Sequence, residues 1–164
     1  MPLDDDLAWP LLRSLDDPER LDAPRDYDHA ATRARFDALV RRLDADFACH
    51  CLVDREVGAA SRHGSIVVPA AALSGRTRIT LTVSNFGRMV AATSADPNTP
   101  QVGAAPALVT PRHMAHIEAA LLGCGYALVP DHILAAPYDG VHHALGRYTV
   151  EDEPTWWLRF FDYL

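Results

Sequence analysis

A chain of 164 residues, 49% of them apolar, is long enough for one domain with a real core and too apolar to stay disordered. At this length folding hides about 70% of the unfolded surface, so neither a metal nor a disulfide is needed to hold the fold. A net charge of −7, with 22 acids against 15 basic residues that are all arginine, argues against sequence-independent nucleic-acid binding and against an anionic membrane surface, and favours a basic partner.

Residues 1–26 are rich in Pro and Asp, with prolines at 2, 10, 18 and 24. Leu7, Trp9, Leu11, Leu12 and Leu15 suit either a short docked helix beginning near Pro10 or a flexible N-terminal arm. Asp28 is placed to cap a helix over 29–46. Phe36, Leu39, Val40, Leu43 and Phe47 share one face of it at helical spacing. Strands follow over 48–53 and 65–68, the second ended by Pro69. Over 77–84, Ile79, Leu81 and Val83 alternate with Arg78, Thr80, Thr82 and Ser84, which predicts a strand with one buried and one wet face. Asn85-Phe86-Gly87 reads as a turn and Met89 to Thr93 as the return strand. Residues 95–106 read as a loop. Thr110-Pro111 opens a helix that Gly123 and Gly125 close. A short strand over 126–129 and a short helix from Pro130-Asp131 come next. The chain closes on an aromatic run read as a helix, with one stripe of Trp156, Phe160 and Tyr163 and a second of Trp157, Phe161 and Leu164. Its density of aromatics demands burial. The sum is a single α+β domain over 27–164, an antiparallel sheet packed against helices.

The candidate chemistry is sparse. Cys49-His50-Cys51 resembles a ligand cluster, but zinc sites space paired cysteines by two to four residues; a buried strand with small apolar thiols is the reading here, and no metal or other cofactor is expected. His113 and His116 sit three apart on a solvated helix edge, without the His-Glu-x-x-His pattern. Tyr138, Asp139 and His142 are the residues from which a small hydrolase-like site would be built, though Tyr-Asp-Gly also makes an ordinary turn. Arg159 is expected to pair with Asp162, stack on a ring or reach Asp139. Three sparse cysteines and an acidic start, Met1-Pro2-Leu3-Asp4-Asp5-Asp6, predict a cytoplasmic protein. No apolar run reaches the ~20 residues that span a bilayer.

The order Gly125-Tyr126, Val129-Pro130, Pro137-Tyr138-Asp139-Gly140, then Thr155-Trp156-Trp157-Leu158-Arg159-Phe160-Phe161-Asp162-Tyr163-Leu164 resembles small bacterial immunity proteins of polymorphic and contact-dependent toxin systems. The resemblance implies a protein that is not an enzyme, needs no cofactor, and binds and neutralises a toxin domain. Glu151, Asp152 and Glu153, before the aromatic run, are the expected acidic rim of the partner surface. The alternative is the small enzyme with its site near Tyr138, Asp139 and His142.

Overall fold

The computed structural model describes residues 1–55, 61–74, 77–94, 109–149 and 153–162. Its centre is a five-stranded sheet in the order β1-β2-β3-β4-β5. The strands are β1 (Leu52–Asp54), β2 (Arg62–Val68), β3 (Ile79–Ser84), β4 (Met89–Thr93) and β5 (Ala127–Leu128). All neighbours are antiparallel except β4 and β5, which run parallel. The hairpin turns at Gly87 and Arg88, whose φ values of 58° and 53° are the left-handed pair of a mirror-image turn, closed by Met89 N–H donating to Phe86 O.

One face of the sheet carries the expected core. Ile79, Leu81 and Val83 stand together with Ile66, Val68, Val90 and Ala92. Two helices cover them: α2 (His29–Phe47) through Phe36, Leu39, Val40 and Leu43, and α3 (Pro111–Gly123) through Met114, Ile117, Ala120 and Leu121. Both helices start on the predicted caps. Asp28 accepts from Ala31 N–H at 2.9 Å, and the Thr110 hydroxyl accepts from His113 N–H at 3.3 Å, with Pro111 opening the helix.

The other face is not wet. Thr80 and Thr82 pair with Thr93 and Ala91 on that face, and all four are buried. A second apolar layer lies over them: α1 (Asp5–Leu15), α4 (Asp131–Leu134) and α5 (Trp156–Phe161). Ala8, Leu12, Ile133, Leu134, Trp156, Trp157, Phe160 and Phe161 join Phe86, Met89 and Ala91 in one cluster. The sheet is therefore sandwiched, and the alternation of threonines that suggested water is the inner lining of a second core. The hydroxyls of Thr82 and Thr93 meet no hydrogen-bond partner among the described residues. Trp156 and Phe160 are buried, as are Trp157 and Phe161, so both aromatic stripes turn inward; Tyr163 and Leu164 lie outside the described residues.

Three boundaries differ from the sequence reading, one of them the start of β2, which is Arg62 rather than Ser65. α1 begins at Asp5, so Pro10 lies inside it. The missing N–H there strands only the carbonyl of Asp6, an exposed residue that water reaches. The first strand is limited to Leu52–Asp54, because α2 ends at Ala48 in a left-handed turn (φ 47°) and 49–51 complete that turn. The loop expected over 95–106 lies outside the described residues.

Candidate functional site

The connection between α1 and α2, residues 16–28, holds six acids (Asp16, Asp17, Glu19, Asp22, Asp26, Asp28) and two arginines. Connections of this length without secondary structure are uncommon in compact domains, and those that exist usually bind something. This one has a fixed shape because a side chain 143 residues away is built into it. Arg159, on α5, is fully buried. Its Nε donates to Asp16 Oδ1 at 2.7 Å, its Nη1 to Leu21 O at 3.3 Å, and its Nη2 to Asp17 O and Arg20 O at 3.3 and 2.8 Å. The guanidinium carbon lies 4.7 Å and 4.9 Å from the ring centres of Phe160 and Phe86, within cation–π range of both.

The same carboxylate closes the next turn of the chain. Asp16 Oδ2 accepts from the Tyr138 hydroxyl at 2.6 Å and from Val141 N–H at 2.9 Å. The Tyr138 hydroxyl in turn accepts from His142 N–H at 2.8 Å. Further along, Asn85 Nδ2 donates to Asp22 O at 3.0 Å, and the Tyr27 hydroxyl donates to Asn85 Oδ1 at 2.9 Å. Glu19, Asp22, Asp26 and Asp28 stay exposed on this framework. Arg25 pairs with Asp17 and Glu19, so the outward charge of the loop is set by Asp22, Asp26 and Asp28 against the exposed Arg20.

The residues of the hydrolase-like alternative do not converge as an acid/base pair. Asp139 is exposed and pairs with Arg13 at 3.1 Å, and that hydrogen-bonded guanidinium holds its carboxyl below the usual range. Tyr138 meets Asp16 instead; burial and that carboxylate push its hydroxyl well above the usual phenol range. His142 is buried, and its Nδ1 finds no partner among the described residues. Burial and the neighbouring Arg159 hold its imidazole below the ordinary value. Arg159 reaches neither Asp139 nor across its own helix to Asp162 for its main bond; facing inward, it takes the buried Asp16.

Of the expected acidic rim, Glu153 is exposed, while Glu151 and Asp152 lie outside the described residues. His113 and His116 flank Phe47 as edge neighbours, with ring centres 6.0 and 6.1 Å away. Cys49 and Cys51 do not lie on a strand. They sit on the turn that caps α2, half-buried, with their sulfurs 3.9 Å apart. Asp44, one turn back on α2, accepts from Cys51 N–H at 2.8 Å. Burial, that carboxylate and Cys49 all push the Cys51 thiol well above its usual range.

Two larger recesses open among the described residues. One, of about 570 Å³, is mostly apolar and lies between the extended N-terminus, β5 and α4, where Leu3 N–H donates to Leu128 O at 2.8 Å. The other, of about 320 Å³, has a mixed lining, more polar than the first, and lies beside the acidic loop, between Tyr27, Arg35, Arg88 and Tyr126. No helix among the described residues is long and apolar enough to cross a membrane. No family model matches the chain, and no curated protein or solved structure matches it either.

The sequence reading missed Asp16 and the loop it anchors. The available signal was the acid density between two amphipathic helices; the pairing with Arg159 had no local trace.

Proposed function

We propose that the chain is a binding protein of the immunity type, which presents the acidic 16–28 loop to a basic surface of a toxin domain and blocks it by occupation. The observation that carries this reading is the use made of Arg159. A buried guanidinium with four hydrogen bonds, three of them to loop carbonyls, is a large commitment for the fold. Its result is a loop held in one shape with Asp22, Asp26 and Asp28 facing water. Fixing a loop before binding removes the ordering cost at the moment of association. Exposed acids steer a basic partner and set register more than they add raw affinity. The chain's net charge of −7 works in the same direction.

The hydrolase-like alternative at Tyr138, Asp139 and His142 is the weaker reading, because Tyr138 is spent on the buried Asp16, Asp139 is exposed and paired with Arg13, and neither meets His142 as an acid/base partner. The test is to read the gene beside this chain's own and to co-express the chain with the C-terminal domain of any secreted protein encoded there. The expected result is relief of growth arrest and a complex that survives gel filtration. Asp22→Arg with Asp26→Arg should slow association and weaken its salt dependence while leaving the melting temperature within a few degrees of the parent. A neighbour that encodes no toxic domain, or an arrest that the intact chain does not relieve, would sink the proposal.

A further inference from the structure

We propose that Asp44, Cys49 and Cys51 form a binding site for a thiophilic divalent cation of the zinc class, with the fourth corner open to solvent. The site stands apart from the acidic loop. The loop enters α2 at its N-terminus, and this cluster lies at the other end, a separation of about 28 Å for 19 residues at 1.5 Å each.

The geometry comes from the way α2 stops. Ala48 takes a left-handed conformation, and Cys49 N–H reaches back to Asp44 O at 3.1 Å. The chain therefore turns over the last helical residues rather than leaving as a strand. On a strand, residues two apart also share a face, but nothing would bring a helical carboxylate to them. Here the turn does so. The two sulfurs and a carboxylate oxygen of Asp44 all lie within 4.8 Å of one another.

Those separations are close to what a tetrahedral ion needs. Zinc–sulfur bonds of about 2.3 Å give a sulfur–sulfur edge of about 3.8 Å, against 3.9 Å in the structure. Since no edge exceeds 4.8 Å, closing the triangle to tetrahedral length asks for a shift of at most about 1 Å. The Asp44 carboxylate divides its work. Oδ1 takes the Cys51 N–H and fixes the turn, and Oδ2 lies 3.9 Å from Nδ1 of the exposed His50. That is the pairing of a ligand with its own positioning bond that metal sites use. Two thiolates with one carboxylate suit zinc, which accepts both soft sulfur and oxygen, better than a purely sulfur-seeking ion or an oxygen-seeking one. Uptake breaks two S–H bonds, forms two metal–sulfur bonds, and releases both protons to water; no oxidant or reductant takes part.

The experiment uses the full chain without an affinity tag, stripped of metal and kept reduced with a phosphine. Zinc is titrated in competition with a chromophoric chelator, and cobalt in a parallel spectroscopic titration. The expected result is one equivalent of zinc, with sulfur-to-cobalt charge-transfer bands and the intense visible bands of a tetrahedral ion. Cys49→Ser and Cys51→Ser should each abolish stoichiometric uptake, and Cys124→Ser should leave it intact. Asp44→Asn should weaken binding by at least the roughly 10- to 100-fold that loss of even an outer partner costs. Absence of uptake would overturn the proposal, as would uptake that survives both cysteine substitutions. So would a cobalt spectrum without sulfur bands, a readout on the parent chain that does not depend on any variant folding. Conversion of the pair to a Cys49–Cys51 disulfide in place of metal uptake would assign it to redox chemistry and equally overturn the site.

Discussion

Replacing Arg159 by Met tests how the acidic loop is held. Methionine keeps much of the side-chain volume and its packing between Phe86 and Phe160 but removes every donor. The Asp16 carboxylate, with a side chain 2% exposed, then keeps only Tyr138 and Val141 N–H, the carbonyls of Arg20 and Leu21 lose the Arg159 donor, and Asp17 O is left with Arg20 N–H. Removing one partner of a buried ion pair costs about 3–5 kcal/mol. Set against the roughly 5–15 kcal/mol of a typical domain, that is a large share. For a domain of this size each kcal/mol moves the melting temperature by about 2–4 °C, so the expected drop is about 6–20 °C. Urea melts followed by circular dichroism measure the free energy, and limited proteolysis reads the loop, which should become cleavable near Arg20 and Arg25. Asp16→Asn should also destabilise, and the double variant should lose clearly less than the two single losses added together, since each removes the same contact. A change below about 1 kcal/mol for Arg159→Met, or strict additivity in the cycle, would refute the idea that this pair fixes the loop.

Two left-handed residues should respond in opposite ways. Ala48→Gly should raise stability by up to about 1 kcal/mol, because glycine takes φ 47° without strain. Gly87→Ala should lower it by about 1–2 kcal/mol, since its φ is 58° and an added Cβ runs into the Leu15 side chain; thermal melts in the same buffer compare them, and equal signs would contradict the turn geometry. Stability should also fall with acid. Burial holds the His142 and His63 imidazoles below their ordinary value. A depressed folded value means the unfolded chain takes the proton first, so their contribution is complete above about pH 6.5 and is lost as pH falls through the lower folded values. Melts at pH 7 and 5 should show the loss, and His142→Gln should flatten the slope; an unchanged slope would count against His142 as a source.

The helices were legible because their signals are local. Asp28 and Thr110-Pro111 mark starts by capping chemistry, and the structure uses both. The hairpin alternation was also legible, and it placed Ile79, Leu81 and Val83 together as found. What it did not convey was the fate of the other face. A strand of alternating threonine reads the same whether water or a second layer lies beyond it. The resolving clue lay far along the chain from the threonines, in the aromatic run that begins at Trp156. Trp156, Trp157, Phe160 and Phe161 need an apolar partner, and α2 and α3 already fill the first face. The threonine face was the surface left to take them, so the demand of one segment settled the ambiguity of another.

The candidate sites were hidden for the same reason, in sharper form. Arg159 had sequence neighbours to pair with, and Asp162 at three residues was the economical local choice. Burial removes that economy. A guanidinium with no access to water must satisfy all its donors in place, and one carboxylate on the next turn cannot do so. Asp16 together with three carbonyls of a single loop can. The cysteines invert the case. Cys49-His50-Cys51 was visible at once, but its meaning depended on the backbone of Ala48, and alanine carries no helix-stop signal of the kind glycine or asparagine gives. With Ala48 extended, the thiols would line a strand; with φ at 47° they return to Asp44. One dihedral angle at a residue with no chemistry of its own thus decides whether two thiols are packing atoms or ligands.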